Sequence, residues 1–247
     1  PPVNAPTPPT EQELRERIDP ERVPAHVAVI MDGNGRWAER KGEHRVSGHM
    51  NGVRSVRETL TAATEIGVKY LTLYAFSTEN WSRPKEEVEA LMDLLVNTLL
   101  TEVESLHENG VRLHTIGDTD SLPESCRKAL LKAIEQTAKN DRITLTLALS
   151  YSARWDILRM LRNVANDMRD GRIGMHDLGE EFVSERLSTR GIPDPELLIR
   201  TSGEQRVSNF LLWEIAYSEL WFTPVLWPDF RKEHLFQSGI EDQNREL

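Results

Sequence analysis

The chain has 247 residues, a length that suits one large domain. Of these residues 38% are hydrophobic, which is enough to form a substantial buried core. The formal net charge of -10 argues against a general nucleic-acid binder, so any anionic ligand must be held by local clusters of arginine. The single cysteine, Cys126, excludes an internal disulfide and a cysteine-rich zinc site.

The N-terminal segment differs in composition from the rest of the chain. Residues 1–24 are rich in proline and then in charge, which predicts a mobile arm with one helical turn. We find neither the pattern of a secretory signal nor an apolar run long enough to span a bilayer. The sequence therefore predicts a cytoplasmic protein in which residues 25–247 form the ordered domain.

From residue 26 onward, short apolar runs alternate with longer amphipathic patterns. The predicted strands read HVAVIM, YLTLYAF, VRLHTIG and ITLTLALS, and the predicted helices cover about 48–66, 85–108, 123–139 and 154–169. Continuous apolar strands separated by amphipathic helices are typical of a mainly parallel sheet that is covered on both faces. The pattern predicts a single α/β domain whose ligands bind beyond the carboxyl ends of the strands.

The first predicted strand is followed by the sequence DGNGRWAERKGEHRVSGH, which begins at Asp32. Gly33, Gly35 and Ala38 match a dinucleotide-binding pattern, but that fold requires a second strand ending in an acid about 20 residues later, where this chain is predicted to be helical. The glycines instead suit the approach of backbone N–H groups to a phosphate. A tight turn capped by Asp32 is the plain alternative.

Polar residues gather at two more segments of the same predicted sheet edge. The segment FSTENWSRP follows the second strand, and IRTSGEQRVS follows a later apolar run; Glu219 lies further on, between apolar and aromatic residues. Each residue taken alone has a structural explanation, such as an ion pair or a core position. Together with the first segment they supply several arginines, whose guanidinium groups suit phosphate oxygens. They also supply two carboxylates, Asp32 and Glu219, which with phosphate oxygens suit Mg²⁺.

Several long motifs, in this order, resemble the signature segments of the cis-prenyltransferase family. They are HVAVIMDGNGRWA, the Gly-His pair at 48–49, LTLYAFSTENWSRP, IRTSGEQRVSNFLLW and ELWFTPVLWPDF. The resemblance runs over residues 26–246 and implies a central, mainly parallel six-stranded sheet, an apolar tunnel and a homodimer. It also implies Mg²⁺-dependent condensation of isopentenyl diphosphate with an allylic diphosphate, typically farnesyl diphosphate, to give Z double bonds.

The resemblance also assigns roles to individual residues. Asp32 is the expected Mg²⁺ ligand, with Glu219 as a second ligand in the same chain or across the dimer. The residues expected to hold the allylic diphosphate are Gly33, Asn34, Gly35, Arg36, Arg45 and His49. Those expected to hold isopentenyl diphosphate are Arg200, Arg206 and Ser208. The substrate-binding set is completed by Trp37, Ser77, Thr78, Glu79, Trp81, Arg83 and Val207. Asn80 matches the family's proton acceptor, but a neutral amide is a poor base, so we expect it to orient the diphosphate.

The helix over 85–108 has an apolar face wider than one packing surface requires. The predicted tunnel residues are Ala75, Leu91, Leu95, Leu99 and Val103, although a fully buried core helix would show the same pattern. The small Ala75 leaves room beside the allylic tail, which predicts a long, undecaprenyl-type product that carries cell-wall sugars at the membrane. A short-chain or branching synthase, a non-catalytic regulatory homologue and a dinucleotide-dependent oxidoreductase are the alternatives.

Overall fold

The computed structural model describes residues 7–245 and contains one six-stranded sheet. The strands are β1 (His26–Ile30), β2 (Tyr70–Ser77), β3 (Val111–Ile116), β4 (Ile143–Tyr151), β5 (Leu197–Arg200) and β6 (Glu219–Phe222). Their order is β3-β4-β2-β1-β5-β6, and every neighbouring pair is parallel. The prediction of a single α/β domain with a six-stranded sheet is confirmed.

The described residues also form eight α-helices. They are α1 (Glu11–Glu16), α2 (Asn34–Arg40), α3 (Arg45–Ile66), α4 (Lys85–Glu108), α5 (Glu124–Thr137), α6 (Ala153–Arg169), α7 (Glu180–Arg186) and α8 (Lys232–Gln243). The four predicted helices correspond to α3 to α6, and the largest difference is the start of α3, three residues earlier than predicted. Across residues 7–245, no helix combines the length and the hydropathy needed to span a bilayer.

The segment predicted as an arm packs against the domain over its described part. Helix α1 begins with a reciprocal cap, in which the Thr10 hydroxyl accepts from the Glu13 N–H and the Glu13 carboxylate accepts from the Thr10 N–H. Leu14 and Ile18 are buried in the main core, where Ile18 approaches Gly239 of α8. Residues 1–6, which include three of the seven prolines of residues 1–24, lie outside the described residues, so the division into arm and domain stays a prediction.

The chain changes direction across the sheet at β1, because β2 lies on one side of it and β5 on the other. In open α/β sheets such a switch point opens a crevice beyond the carboxyl ends of the strands. Asp32 follows β1 and Thr201 follows β5. The Thr201 hydroxyl accepts from the Asp32 N–H at 2.8 Å and donates to the Asp32 carbonyl oxygen at 2.6 Å. These two bonds fix the walls of the crevice against each other.

Candidate active site

Asp32 and Arg200 meet in the crevice between β1 and β5. Nη2 of Arg200 lies 3.0 Å from Oδ2 of Asp32, while its Nη1 donates to the Arg206 carbonyl oxygen and to Ser208 Oγ, both at 2.6 Å. Burial alone would raise the pKa of Asp32, but the Ser202 hydroxyl and the Arg200 guanidinium lower it below its usual value. Asp32 is therefore ionised at neutral pH, and its side chain is 36% exposed.

The two predicted metal ligands do not meet within one chain. Glu219 begins β6 in register with Leu197, which in turn pairs with Val27, five residues before Asp32. At about 3.3 Å per residue, the two carboxylates are separated by roughly 16 Å along the strands. Glu219 instead pairs with Arg245. A shared metal would need Glu219 of a second copy, which stays a prediction; residues 7–245 contain no cluster of three or more His, Cys, Asp or Glu that could hold a metal.

Three predicted phosphate-binding side chains converge on one carboxylate at the start of α4. Oε1 of Glu87 lies 3.1 Å from Nη1 of Arg83, 3.6 Å from Nε of Arg45 and 3.9 Å from Nε2 of His49. The Arg45 guanidinium lies over Gly35, where a Cβ atom would approach it to 2.6 Å. Two arginines and a histidine, from α3 and from the turn after β2, thus meet at one place in the crevice.

His49 presents a neutral ring to this place. Burial, followed by the charge of Arg83, lowers the pKa of His49 to about 4. Its Nδ1 lies 3.1 Å from the Asn34 amide nitrogen, so with Nδ1 as the acceptor the proton sits on Nε2. Both His49 Nε2 and Asn34 Oδ1 are buried without a hydrogen-bond partner. Buried polar atoms are normally paired, so these two indicate a polar ligand here.

Glu204 holds two further predicted arginines, and the sequence analysis did not anticipate it. Nη2 of Arg36 lies 3.0 Å from Oε1 of Glu204, and Nη1 of Arg206 lies 2.6 Å from its Oε2. The two guanidinium groups lower the pKa of Glu204. The sequence contains one sign of this pairing, because Glu204 lies between two arginines in RTSGEQR. Sequence alone, however, does not show whether an arginine pairs with an acid of its own chain or binds a ligand.

The turn after β2 is closed by its own side chains. Asn80 Oδ1 accepts from the Ser77 N–H at 3.1 Å, and Ser77 Oγ accepts from the Asn80 N–H at 3.2 Å. The indole N–H of Trp81 donates to Ser150 Oγ at 2.9 Å. Because the Asn80 carbonyl oxygen is already bonded, the geometry supports an orienting role for this residue.

Three predicted substrate-binding residues lie outside these clusters. Trp37 donates its indole N–H to Asp229 at 2.9 Å. The Thr78 hydroxyl lies 3.3 Å from the Glu79 carboxylate. Val207 is half-buried and packs against an apolar cluster behind the crevice.

Asn209 links three segments of the crevice and was missed by the sequence analysis. Its backbone is left-handed, with φ of 62°. Its Nδ2 donates to Glu79 Oε1 at 2.9 Å, its Oδ1 accepts from the Arg154 N–H at 3.0 Å, and its carbonyl oxygen accepts from the Ala153 N–H at 2.8 Å. Asn209 thereby ties the turn after β2 and the start of α6 to the segment that carries Arg206.

We expect Asn209→Asp to lower kcat/KM roughly 5- to 150-fold, the equivalent of about 1–3 kcal/mol for an unmade buried or charged hydrogen bond. The variant keeps the acceptor for α6 and tolerates the left-handed backbone, but it sets a carboxylate against Glu79. Steady-state kinetics with both diphosphates provide the measurement. Adding Glu79→Gln should restore activity, because the new amide can donate to the introduced carboxylate; failure of that rescue would contradict the positioning role.

An apolar cavity of about 190 Å³ leads from the crevice between the sheet and helices α3 and α4, with Asn34 and His49 at its mouth. Four predicted tunnel residues line it: Ala75, Leu91, Leu95 and Leu99. Val103 does not line it and packs beside it in the core, whereas Glu102 does. At 3.6 residues per turn, Glu102 lies only about 20° from Leu91 around the helix and Val103 about 120°.

Glu214 is a buried acid behind the crevice, with 5% of its surface exposed. Its side chain accepts from the Thr189 hydroxyl at a long 3.4 Å. Burial, with smaller contributions from Asp156 and Asp194, raises its pKa from 4.5 to about 7. The carboxyl group is thus half-protonated near neutral pH.

Glu214→Gln should stabilise the protein at pH 8 but not at pH 4.5. A pKa raised on folding favours the folded state below the unfolded pKa, and this contribution is lost as pH rises from 4.5 through 7. The loss amounts to about 3 kcal/mol in the free energy of unfolding. Denaturant unfolding at both pH values measures it, with the exposed Glu180→Gln as control. An equal effect of Glu214→Gln at the two pH values would contradict the assignment.

Comparison with known proteins agrees with this geometry over nearly the whole chain. Residues 30–246 match the family model described as putative undecaprenyl diphosphate synthase. An isoprenyl transferase of Heliobacterium mobile is 49% identical over 96% of this chain and 91% of its own length. A ditrans,polycis-undecaprenyl-diphosphate synthase, (2E,6E)-farnesyl-diphosphate specific, of Pasteurella multocida is 46% identical over 92% of this chain and 95% of its own.

Two solved structures that match this fold are more than 30% identical to this chain in sequence. Lavandulyl diphosphate synthase of Lavandula x intermedia, in complex with dimethylallyl diphosphate, superposes with a TM-score of 0.89 at 34% identity, covering 92% of this chain and 98% of that one. A probable undecaprenyl diphosphate synthase of Campylobacter jejuni gives 0.75 at 32% identity, covering 90% and 97%. These matches rule out the dinucleotide-dependent oxidoreductase. The chain belongs to the cis-prenyltransferase family of undecaprenyl diphosphate synthases, enzymes of prenyl transfer that generally need a divalent metal.

Proposed function

We propose that this enzyme adds isopentenyl diphosphate repeatedly to farnesyl diphosphate, giving a long-chain polyprenyl diphosphate of undecaprenyl type. The observation that carries the proposal is an apolar cavity that opens at a cluster of cationic side chains, the arrangement required by a ligand with an anionic head and a long apolar tail. The farnesyl specificity in the name of the Pasteurella multocida relative supports the same primer.

The two diphosphates are assigned to the two sides of the crevice. The allylic diphosphate would bind at the mouth of the cavity, to Arg45, the His49 Nε2–H and the backbone beside Gly35. Isopentenyl diphosphate would bind to Arg206 and Ser208, next to Arg200, whose Nε is buried without a partner. Arginine forks donate in the geometry that phosphate oxygens accept.

Asp32 fits an Mg²⁺ ion, because its carboxylate is ionised, partly exposed and close to the proposed diphosphates. Mg²⁺ favours oxygen ligands and takes few of them from protein, so Asp32 and diphosphate oxygens make a suitable set. When bound, the ion would neutralise negative charge on the departing diphosphate.

The residues of this chain would act on charge that develops during the reaction. The allylic C–O bond breaks with its electron pair leaving on diphosphate, the isopentenyl double bond attacks the resulting carbocation, and loss of a proton forms the new Z double bond. Arg45 and His49 would hold the leaving diphosphate and so stabilise the transition state more than the ground state. The apolar cavity would keep water from the carbocation. A diphosphate oxygen is our choice as the proton acceptor, since the Asn80 oxygen is already bonded.

A homodimer is part of the proposal, with Glu219 of one copy approaching Asp32 of the other. Glu219 lies on the edge strand β6 beside two apolar side chains that are open to solvent, Tyr217 (98% exposed) and Leu220 (36% exposed). Exposed apolar groups on an unpaired sheet edge suit an interface. A fully active monomer in analytical ultracentrifugation would refute this arrangement. The cytoplasmic location and the transfer of product to the membrane stay predictions.

A short-chain or branching synthase is the second candidate, favoured by the close superposition on lavandulyl diphosphate synthase. Incubation with labelled isopentenyl diphosphate and either farnesyl or dimethylallyl diphosphate separates the two, because only the first candidate should extend farnesyl diphosphate many times. Parallel reactions with Mg²⁺ and with a chelator test the metal. No incorporation into any allylic diphosphate would refute both candidates and favour the regulatory homologue.

A further inference from the structure

The cavity is shorter than the proposed product. Along α4 its lining runs from Leu91 to Leu106, which spans roughly 22 Å at 1.5 Å per residue. An isoprene unit adds four bonds of about 1.5 Å, or roughly 4 to 5 Å of extended chain, so the roughly eleven units of an undecaprenyl chain extend to about 50 Å. The tail must therefore leave the cavity before synthesis ends.

Arg57 and Glu102 are the only oppositely charged pair in the cavity lining, which is otherwise mostly apolar over the described residues. Arg57 belongs to α3 and Glu102 to α4. Nε of Arg57 donates to Oε1 of Glu102 at 2.9 Å, and Nη2 contacts the same oxygen. The Arg57 side chain is 56% exposed and that of Glu102 21%. The pair thus connects the interior of the cavity to solvent across the gap between the two helices.

The pair lies where a growing tail would arrive. From His49 at the mouth to Arg57 the distance along α3 is roughly 12 Å, and from Glu87 to Glu102 along α4 it is roughly 22 Å. A tail held at the mouth by its diphosphate reaches the pair at roughly three to five isoprene units. Beyond Glu102 along α4, the lining continues to Leu106, and Leu113 of β3 also belongs to it.

We propose that the ion pair between Arg57 and Glu102 is the exit gate for the growing chain. The inference rests on the proposed function, since only a product longer than the cavity needs an exit. While the tail is short, the pair holds α3 and α4 together and closes the cavity to water. A longer tail separates the pair and emerges between the helices. Partly exposed ion pairs are weak, so the gate can open in every catalytic cycle.

Product lengths of pair-breaking variants test the gate. In Arg57→Ala and Glu102→Gln, the ratio of full-length product to intermediates of about five units should rise roughly two- to fivefold, the range expected for loss of a partly exposed pair. The double variant should match the single variants, because either substitution removes the whole pair. The reversed pair, Arg57→Glu with Glu102→Arg, should restore the original ratio. Arg54→Ala, an exposed arginine of α3 that does not line the cavity, is the control.

Unchanged product ratios in both single variants, at unchanged melting temperature, would overturn the gate. A reversed pair that does not restore the original ratio would also overturn it, since the effect would then come from packing. If the unmodified enzyme fails to extend farnesyl diphosphate at all, the proposed function itself is refuted, and the gate with it.

Discussion

Asp32→Asn is expected to fold normally and to lose roughly 10² to 10³ in turnover, equal to about 2.7–4 kcal/mol of transition-state stabilisation. The amide keeps the shape of the side chain and can still accept from the buried Arg200, but it removes the negative charge that suits a metal. The contacts of Asp32 with Thr201 are made by its backbone and survive the change. Asp32→Ala should lose as much turnover, with some stability lost as well, because Arg200 then has no opposite charge.

Steady-state turnover at saturating substrates and Mg²⁺ is the measurement, with circular dichroism to verify the fold. Asp118→Asn is a matched control, since Asp118 also lies two residues beyond a strand, β3, at the same edge of the sheet. Near-normal turnover of Asp32→Asn would refute the metal-ligand role.

Ala75→Leu is expected to shorten the product while isopentenyl incorporation continues. Ala75 lies on β2 and lines the cavity beside Phe76 and Leu149. Three added carbon atoms there would occupy space that the tail needs, and overpacking of this kind costs about 1–3 kcal/mol. We expect the share of full-length product to fall at least roughly tenfold, the equivalent of about 1.4 kcal/mol.

Chromatography that resolves product length measures this effect, and Ala75→Gly, which leaves the space open, is the control. If Ala75→Leu still makes the full-length chain, Ala75 does not limit the tunnel, and the chain-length argument loses its main support.

The strands β1 to β4 and the helices α3 to α6 could be predicted because their hydrophobic patterns are local. A continuous apolar run indicates a strand covered on both faces, and an amphipathic pattern indicates the helix that covers it. The packing of α1 could not be predicted in this way. Leu14 and Ile18 are buried against α8, more than 200 residues further along the chain, and local composition carries no information about that contact.

The sequence predicts the location of the candidate site better than it predicts which of its side chains pair with one another. The rule that sites form at carboxyl strand ends correctly brings Asp32 and Arg200 to one crevice. The same rule does not say at which end of β6 Glu219 lies, because that depends on where the short strand begins. Nor does it identify Glu87 and Glu204 as partners of the arginines. An arginine that pairs with an acid of its own chain and one that binds a phosphate look the same in the sequence.

The helix lining the cavity shows a similar limit. The predicted set followed steps of four residues from Leu91 to Val103, but such steps drift around a helix of 3.6 residues per turn. After three such steps, Val103 points away from the cavity, and Glu102 lines it instead. A search for apolar positions along the helix therefore leaves out Glu102, the charged residue on which the gate depends.

The most direct test of the central claim is the product made from farnesyl diphosphate, labelled isopentenyl diphosphate and Mg²⁺, resolved by chain length and by the geometry of its new double bonds. The cavity and the cationic crevice predict many successive additions, a final product of undecaprenyl length and Z geometry at each new bond. Products that stop after one or two additions, or that carry E double bonds, would contradict the account.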